Sequence, residues 1–301
     1  MITPRPLKEN DKVILLSTAR KIDVSELREG IEMLESWGLR VEIGKTIGRE
    51  SNQFAGDDEL RAKDLQEALD NPEIRAVFVA RGGYGTVRVL DRLDFTSFTK
   101  NPKWIIGYSD ITALLSHIYY NYSVESIHGI MPFNIDKDSH SSPATNSLRN
   151  LLFQNSNTMA FKGDKMNIEG KVSGELVGGN LSVLYSLLAS NSFGSTDNKI
   201  LLLEDLDEYL YHIDRMMYAL LRAGKLSNLK AILIGGFTDM HDNAIGFGRT
   251  SEEIIFDIIS RFGYPAGFSL GFGHIGKDNN ALIIGRKTDI VISKEEVIIK
   301  Q

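Results

Sequence analysis

Short apolar runs alternate along the chain with segments whose apolar residues recur every three to four positions. Residues 12–18, KVILLST, are short, apolar and rich in strand formers, which predicts a buried strand. Leu27, Ile31, Leu34 and Trp37 fall at helical spacing and predict a helix over 24–37. A second strand is expected at 41–43, and then a helix over 60–69 that Asn71-Pro72 stops. A third strand at 76–80 and a helix over 84–93 follow. A fourth strand at 104–107 and a helix over 111–120 complete the alternation. Strand and helix in this order predict an α/β unit with a parallel sheet and helices on both faces.

The character changes after residue 135. Segments 136–143 and 154–157 are polar and turn-rich, with a short helical pattern between them over 144–153. The C-terminal half has its own pattern, with strands at 200–203, 231–234, 281–284 and 290–292 and helices over 207–222 and 251–262. This organisation suggests an N-terminal unit over 1–140, a connection over 141–164 and a smaller C-terminal α/β unit over 165–301.

Composition narrows the chemistry. The 301 residues are 42% hydrophobic and 25% charged, a globular balance, and include no cysteine. Cysteine nucleophiles, zinc–thiolate sites and disulfides are therefore excluded. A net charge of −6 without a basic stripe argues against nucleic acid as a partner. Apolar runs reach only about five to seven residues, against roughly 20 for a bilayer span, and no signal-peptide pattern opens the chain. The expectation is a soluble, cytoplasmic protein without a membrane partner.

In parallel sheets, ligands sit beyond the carboxyl ends of the strands. Two polar turns fall there: Arg81-Gly-Gly-Tyr-Gly85 after the third predicted strand and Tyr108-Ser-Asp110 after the fourth. A serine at a strand–turn–helix corner can be held rigid and exposed, with the helix N-terminus aimed at it. Gly107 allows tight packing there, and the amide N–H of Asp110 could serve an oxyanion. The motif is not G-x-S-x-G, because Ile111 takes the last position. Ser109 or Asp110 could equally be a helix cap, and the two roles are compatible. The glycine turn is a poor dinucleotide fingerprint and lacks a Walker lysine. It could supply a second oxyanion N–H or be an ordinary βα turn.

A base needs a fixed position and an acceptor for its second ring nitrogen. Of six histidines, His274 in Gly271-Phe-Gly-His-Ile-Gly276 suits this best, and His128 comes second. Glu204, closing the apolar run 200–203, is the candidate acid, with an N-terminal capping role as its alternative. Spacing alone does not bring Ser109, Glu204 and His274 together.

The ordered set of short motifs resembles the LD-carboxypeptidase family of serine peptidases, whose relatives include the microcin C self-immunity peptidases. The opening strand 12–18, Arg81-Gly-Gly-Tyr-Gly85, Gly107-Tyr-Ser-Asp110, Gly178-Gly-Asn-Leu181, Leu203-Glu-Asp205 and Gly271-Phe-Gly-His274 carry the resemblance over nearly the whole chain. It implies a triad of Ser109, Glu204 and His274, with the N–H groups of Gly83 and Asp110 as oxyanion hole. It also implies an N-terminal domain like class I glutamine amidotransferases, a smaller C-terminal domain, a site between them and a homodimer. No metal or organic cofactor is expected. The implied substrate is a muropeptide, the murein tetrapeptide, losing its terminal D-alanine in cell-wall recycling. Arg81 could pair with the substrate carboxylate as a guanidinium fork or form a structural ion pair at its strand end. Asn180 could hydrogen-bond the peptide or cap the helix it opens.

Two alternatives remain at this level. One keeps the triad but takes a peptidyl or aminoacyl nucleotide, as in microcin immunity. That branch resembles a longer chain with an aromatic platform for the base, whereas segment 190–197 here is short and contains only Phe193. The other is a small-molecule binding protein on the same scaffold.

Overall fold

In the computed structural model, which describes residues 1–301, the alternation resolves into two sheets. The first half contributes β1 (Lys12–Leu16), α1 (Arg28–Ser36), β2 (Arg40–Ile43), α2 (Asp58–Asp70), β3 (Ile74–Val79), α3 (Thr96–Lys100), β4 (Trp104–Gly107), α4 (Thr112–Tyr122) and β5 (Ser126–His128). The second half contributes α5 (Pro143–Gln154), β6 (Thr158–Lys162), β7 (Gly170–Asn180), α6 (Leu181–Ser186), β8 (Ile200–Leu206), α7 (Leu210–Arg222), β9 (Ala231–Thr238), α8 (Ser251–Ile259), β10 (Ala266–Gly267), β11 (Leu282–Ile284), β12 (Lys287–Ile292) and β13 (Glu296–Lys300).

The first sheet runs β11-β5-β4-β3-β1-β2, parallel from β5 to β2. Its inner strands β1, β3 and β4 are largely apolar on both faces because each face is covered, whereas the edge strand β2 is not buried. In β3, Ala76 and Phe78 enter one core while Val77 and Val79 enter the other, the period-two alternation of a strand. The core on the second of these faces continues without a break into the second sheet, from Ile284 of β11 to Leu202 and Ile234.

The second sheet runs β10-β9-β8-β7-β12-β13-β6. Its β7–β10 part is parallel, and its β7-β12-β13-β6 part is an antiparallel meander. The sequence pattern does not announce β6, β7 or β13. Gly170, Gly174, Gly178 and Gly179 interrupt the apolar run of β7, and in β12 alternate residues face solvent.

Three local departures have physical causes. The helix expected over 84–93 is instead two short 3-10 turns, Thr86–Arg88 and Leu90–Arg92. Tertiary bonds hold the chain there: Thr86 N–H donates 2.8 Å to the Asp110 carboxylate, and its hydroxyl pairs at 2.7 Å with that of Thr18. The first sheet is not wholly parallel, because β11 enters antiparallel beside β5 from far along the chain. The span 141–164 is structured, holding α5, which packs Leu148, Leu151 and Leu152 into the first sheet's outer core, and β6 of the second sheet.

The two sheets are tied across the site. From α4, Thr112 Oγ1 accepts from Asn180 N–H at 3.1 Å, Ser116 Oγ donates to Ser192 O at 2.5 Å, and Tyr119 OH donates to Glu175 at 2.7 Å. The helix leaving the Ser109 corner is thereby clamped to the half of the chain that carries Glu204. No helix is long and apolar enough to cross a membrane.

Candidate active site

Ser109 leaves the carboxyl end of β4 at φ +63° and is only partly buried. A non-glycine residue in that left-handed region is strained by about 1–2 kcal/mol, and such strain concentrates at functional sites. The neighbouring turn leaves no room for a larger residue: a Cβ on Gly82 would lie 3.0 Å from Ser109 Oγ. That close approach explains one glycine of the Arg81–Gly85 turn. Gly83 follows at φ +114°, and its N–H donates to no backbone carbonyl.

Asp110 turns its side chain away from solvent. Its carboxylate is 4% exposed and accepts the Thr86 N–H. Burial pushes its pKa up, against the hydrogen bonds from the glycine turn and the charge of Arg61. Arg61, fully buried, donates to Thr18 O at 2.6 Å and to Gly85 O at 3.0 Å and pairs with Asp58. It braces the glycine turn from beneath. Sequence reading missed it, although a charged residue at helical spacing from Leu65 and Ala68 marks a buried position.

Glu204 follows the apolar run of β8 and is itself 0% exposed. Its Oε2 lies 2.6 Å from His274 Nδ1. A carboxylate only accepts, so Nδ1 carries the hydrogen and Nε2 is left with a free lone pair. Burial pulls His274 down, but the charge and hydrogen bond of Glu204, with Asp205 behind, outweigh it and leave the imidazole above its ordinary value.

The His274 turn is pinned on several sides. Thr238 Oγ1 donates to His274 O at 2.7 Å, and Gly273 N–H donates to Asn279 Oδ1 at 2.7 Å. Gly273 sits at φ +84°, and a Cβ there would fall 2.5 Å from Glu204 Oε2. The Tyr108 ring, one residue before Ser109, packs 4.8 Å from the His274 ring. The structure thus brings the elbow of the first sheet against the Glu204–His274 pair of the second.

His128, the second candidate base, lies at the end of β5, fully buried, with neither ring nitrogen bonded. Burial pushes its pKa down to about 4. With no acceptor to orient it, it lacks what a base requires. Of the remaining histidines, His212 and His241 also meet carboxylates, Glu208 and Asp207, both at 2.5 Å, but in solvent-accessible positions. His117 is bonded to Ser192 Oγ at 2.8 Å, and His140 lies 3.6 Å from Glu29.

Arg81 lines a cavity beside the glycine turn, its guanidinium 4.2 Å above the Phe133 ring. Asn180 takes the second of its two expected roles, the helix cap. Its Oδ1 accepts from Val183 N–H at 3.1 Å as the cap of α6, and its Nδ2 donates to Asp205 at 2.9 Å. Both ends of the amide are engaged inside the protein. Asp205, held by Asn180, by Ser182 N–H and by Leu206 N–H, is pushed up to about 7 by burial and then by Glu204. No group of three or more His, Asp or Glu side chains converges as a metal site.

Comparison with known proteins decides the lineage. Residues 13–129 match the LD-carboxypeptidase N-terminal domain and residues 173–290 the LD-carboxypeptidase C-terminal domain. A probable murein peptide carboxypeptidase of Bacillus subtilis is 34% identical over 99% of this chain and 94% of its own. The chain belongs to the LD-carboxypeptidase family. It is a peptidase with the α/β fold of that family. The crystal structure of a muramoyltetrapeptide carboxypeptidase from Oxalobacter formigenes superposes with a TM-score of 0.86 at 26% identity, covering 96% of this chain and 98% of that one. The microcin C7 self immunity protein MccF shares the fold, with a TM-score of 0.86 at 22% identity over 98% of this chain and 97% of its own. Phe193, the one aromatic residue of segment 190–197, is 2% exposed and packs edge-on to Tyr120 with a centroid distance of 6.0 Å. It is turned into this chain's own core and offers no stacking platform.

Proposed function

We propose that this peptidase is a serine LD-carboxypeptidase that removes the terminal D-alanine of a murein tetrapeptide. The reading rests on the buried Glu204–His274 pair, 2.6 Å apart, packed through Tyr108 against the Ser109 elbow. The names of its relatives supply the substrate class: murein peptide for the Bacillus protein and muramoyltetrapeptide for the Oxalobacter one.

In this mechanism, Ser109 Oγ attacks the carbonyl between an L-centre and D-alanine while His274 Nε2 takes its proton. Glu204 keeps Nδ1 protonated and stabilises the imidazolium. The N–H groups of Gly83 and Asp110 receive the oxyanion, and each such donor contributes about 3–4 kcal/mol in comparable hydrolases. His274 returns the proton to the leaving amine, D-alanine departs, and water hydrolyses the acyl-enzyme by the reverse of the same steps. Arg81 faces the substrate carboxylate. Asn180 acts indirectly, as the cap that holds Asp205 behind Glu204.

The test is D-alanine release from L-Ala-γ-D-Glu-diamino acid-D-Ala, run beside hydrolysis of an aminoacyl sulfamoyl adenylate. Release of D-alanine with an inert nucleotide analogue is expected. Activity on the nucleotide analogue alone would overturn the assignment.

A further inference from the structure

A cavity of about 310 Å³ opens beside the glycine turn, and Arg20, Arg49 and Arg81 are among its lining residues. The acidic residues around it are already engaged. Glu50 pairs with Lys21 at 2.8 Å. Asp23 Oδ1 accepts from Ser25 N–H at 2.9 Å, and Glu26 Oε1 accepts from Asp23 N–H at 2.9 Å, forming the capping box of the turn Val24–Leu27. The three guanidiniums, by contrast, form no ion pair or hydrogen bond with any group of the protein. Arg81 is half-buried; burial and then the Arg20 charge act against its charged form, and the Glu26 charge offsets them only in part. Like charges gathered around a cavity repel one another, and an anion bound between them relieves that repulsion.

The position of the cavity selects the anion. Residues 81, 82 and 83 face three successive things. Arg81 lines the cavity, a Cβ on Gly82 would lie 3.0 Å from Ser109 Oγ, and a Cβ on Gly83 would lie 3.0 Å from the Arg20 Cβ. The cavity therefore adjoins the turn that carries the proposed oxyanion donor, one residue along from the glycine that touches the nucleophile. The free carboxylate of the leaving residue stands one residue from the scissile carbonyl, a step of about 3.8 Å between Cα atoms. The other carboxylates of a muropeptide lie on the acyl side, farther along the chain.

We infer that Arg20 and Arg49 join Arg81 as the subsite for the C-terminal carboxylate of the departing residue, and so make the enzyme an exopeptidase. The inference rests on the peptidase reading given above. Planar guanidiniums match a carboxylate in a bidentate fork, so neutral glutamine at either position removes the recognition while keeping a polar surface side chain.

Arg20 and Arg49 are exposed, so R20Q and R49Q keep the fold. The experiment compares the tetrapeptide acid with its C-terminal amide in the wild type and in both variants. The wild type is expected to prefer the acid, through KM. Each variant is expected to lose about tenfold of that preference, the size of one charge-assisted hydrogen bond. An acid-to-amide preference unchanged from wild type in both variants overturns the subsite. Binding is read apart from turnover in Ser109→Ala protein, by calorimetric titration with N-acetyl-D-alanine and N-acetyl-D-alaninamide. Selective binding of the acid that R20Q removes supports the subsite even if the tetrapeptide is not the substrate. Equal binding of acid and amide overturns it even if D-alanine is released.

Discussion

Glu204 and His274 meet at 2.6 Å through Oε2 and Nδ1, although 70 residues separate them in the chain. The carboxylate is fully buried, so the contact fixes one tautomer of the imidazole and raises its affinity for a proton.

The pH dependence of turnover follows from that contact. A general base works only when neutral, and the pKa of His274 lies above the ordinary imidazole value of 6.5. Activity is therefore expected to fall as the pH drops through a value above 6.5, measured as kcat/KM on the tetrapeptide. Glu204→Gln is expected to move this limb downward and to lower kcat by about 10⁴-fold, as removal of the orienting acid does in serine proteases. An unmoved limb would assign the titration to another group.

Ser109 carries both the proposed chemistry and the strain. Ser109→Ala is expected to lose at least about 10³-fold in kcat. Ser109→Gly is expected to be equally inactive but to melt higher than Ser109→Ala. Glycine escapes a left-handed cost of about 1–2 kcal/mol and returns about 0.5–1 kcal/mol in backbone entropy. Thermal denaturation of the two variants measures the difference. An active Ser109→Ala would remove the nucleophile from the mechanism.

Gly273 should be intolerant of even one methyl group. Its φ is +84°, and an added Cβ would fall 2.5 Å from Glu204 Oε2, so Gly273→Ala must displace either the turn or the carboxylate. A loss of about 10²-fold in kcat is expected, the effect of a misplacement of about 1 Å. Steady-state kinetics at the pH optimum provides the check, and near-wild-type kcat would show that the pair has slack.

His128 is expected to matter for stability and not for proton transfer. His274→Asn should lose at least about 10³-fold in rate, while His128→Asn at pH 8 stays within about tenfold. The reverse ranking would identify His128 as the base. Burial depresses the folded-state pKa of His128 to about 4, whereas the unfolded chain binds the proton near 6.5. Stability from this group is therefore present above pH 6.5 and is lost as the pH falls toward 4, on the order of 3 kcal/mol in all. Denaturant titrations between pH 7 and pH 4 should show a shallower decline in His128→Asn.

Much of the first sheet was legible along the chain. Continuous apolar runs marked β1, β3 and β4, because strands covered on both faces need no alternation. The meander of β6, β7, β12 and β13 was hidden wholly or in part, since glycines and half-exposed positions dilute its pattern. The stretch 84–93 misled because its apolar spacing is helical, while Thr86 is committed to Thr18 and Asp110. Arg61 went unnoticed although its helical spacing from Leu65 and Ala68 marks a buried face, whereas nothing local distinguishes Arg20 and Arg49 from solvated arginines.

The sequence by itself determined the residue types and the local stage. A serine stands where a strand must turn into a helix, a carboxylate closes an apolar strand, and a histidine sits in a glycine-rich turn. Each follows from short-range pattern and steric freedom. Only the tertiary structure decided that the histidine meets the carboxylate, that both are pressed against the serine's corner, and that Asn180 faces inward as a cap. Those relationships depend on how two sheets share one core and how α4 is clamped between them. They join residues with no short-range relation in the chain, and packing sets them.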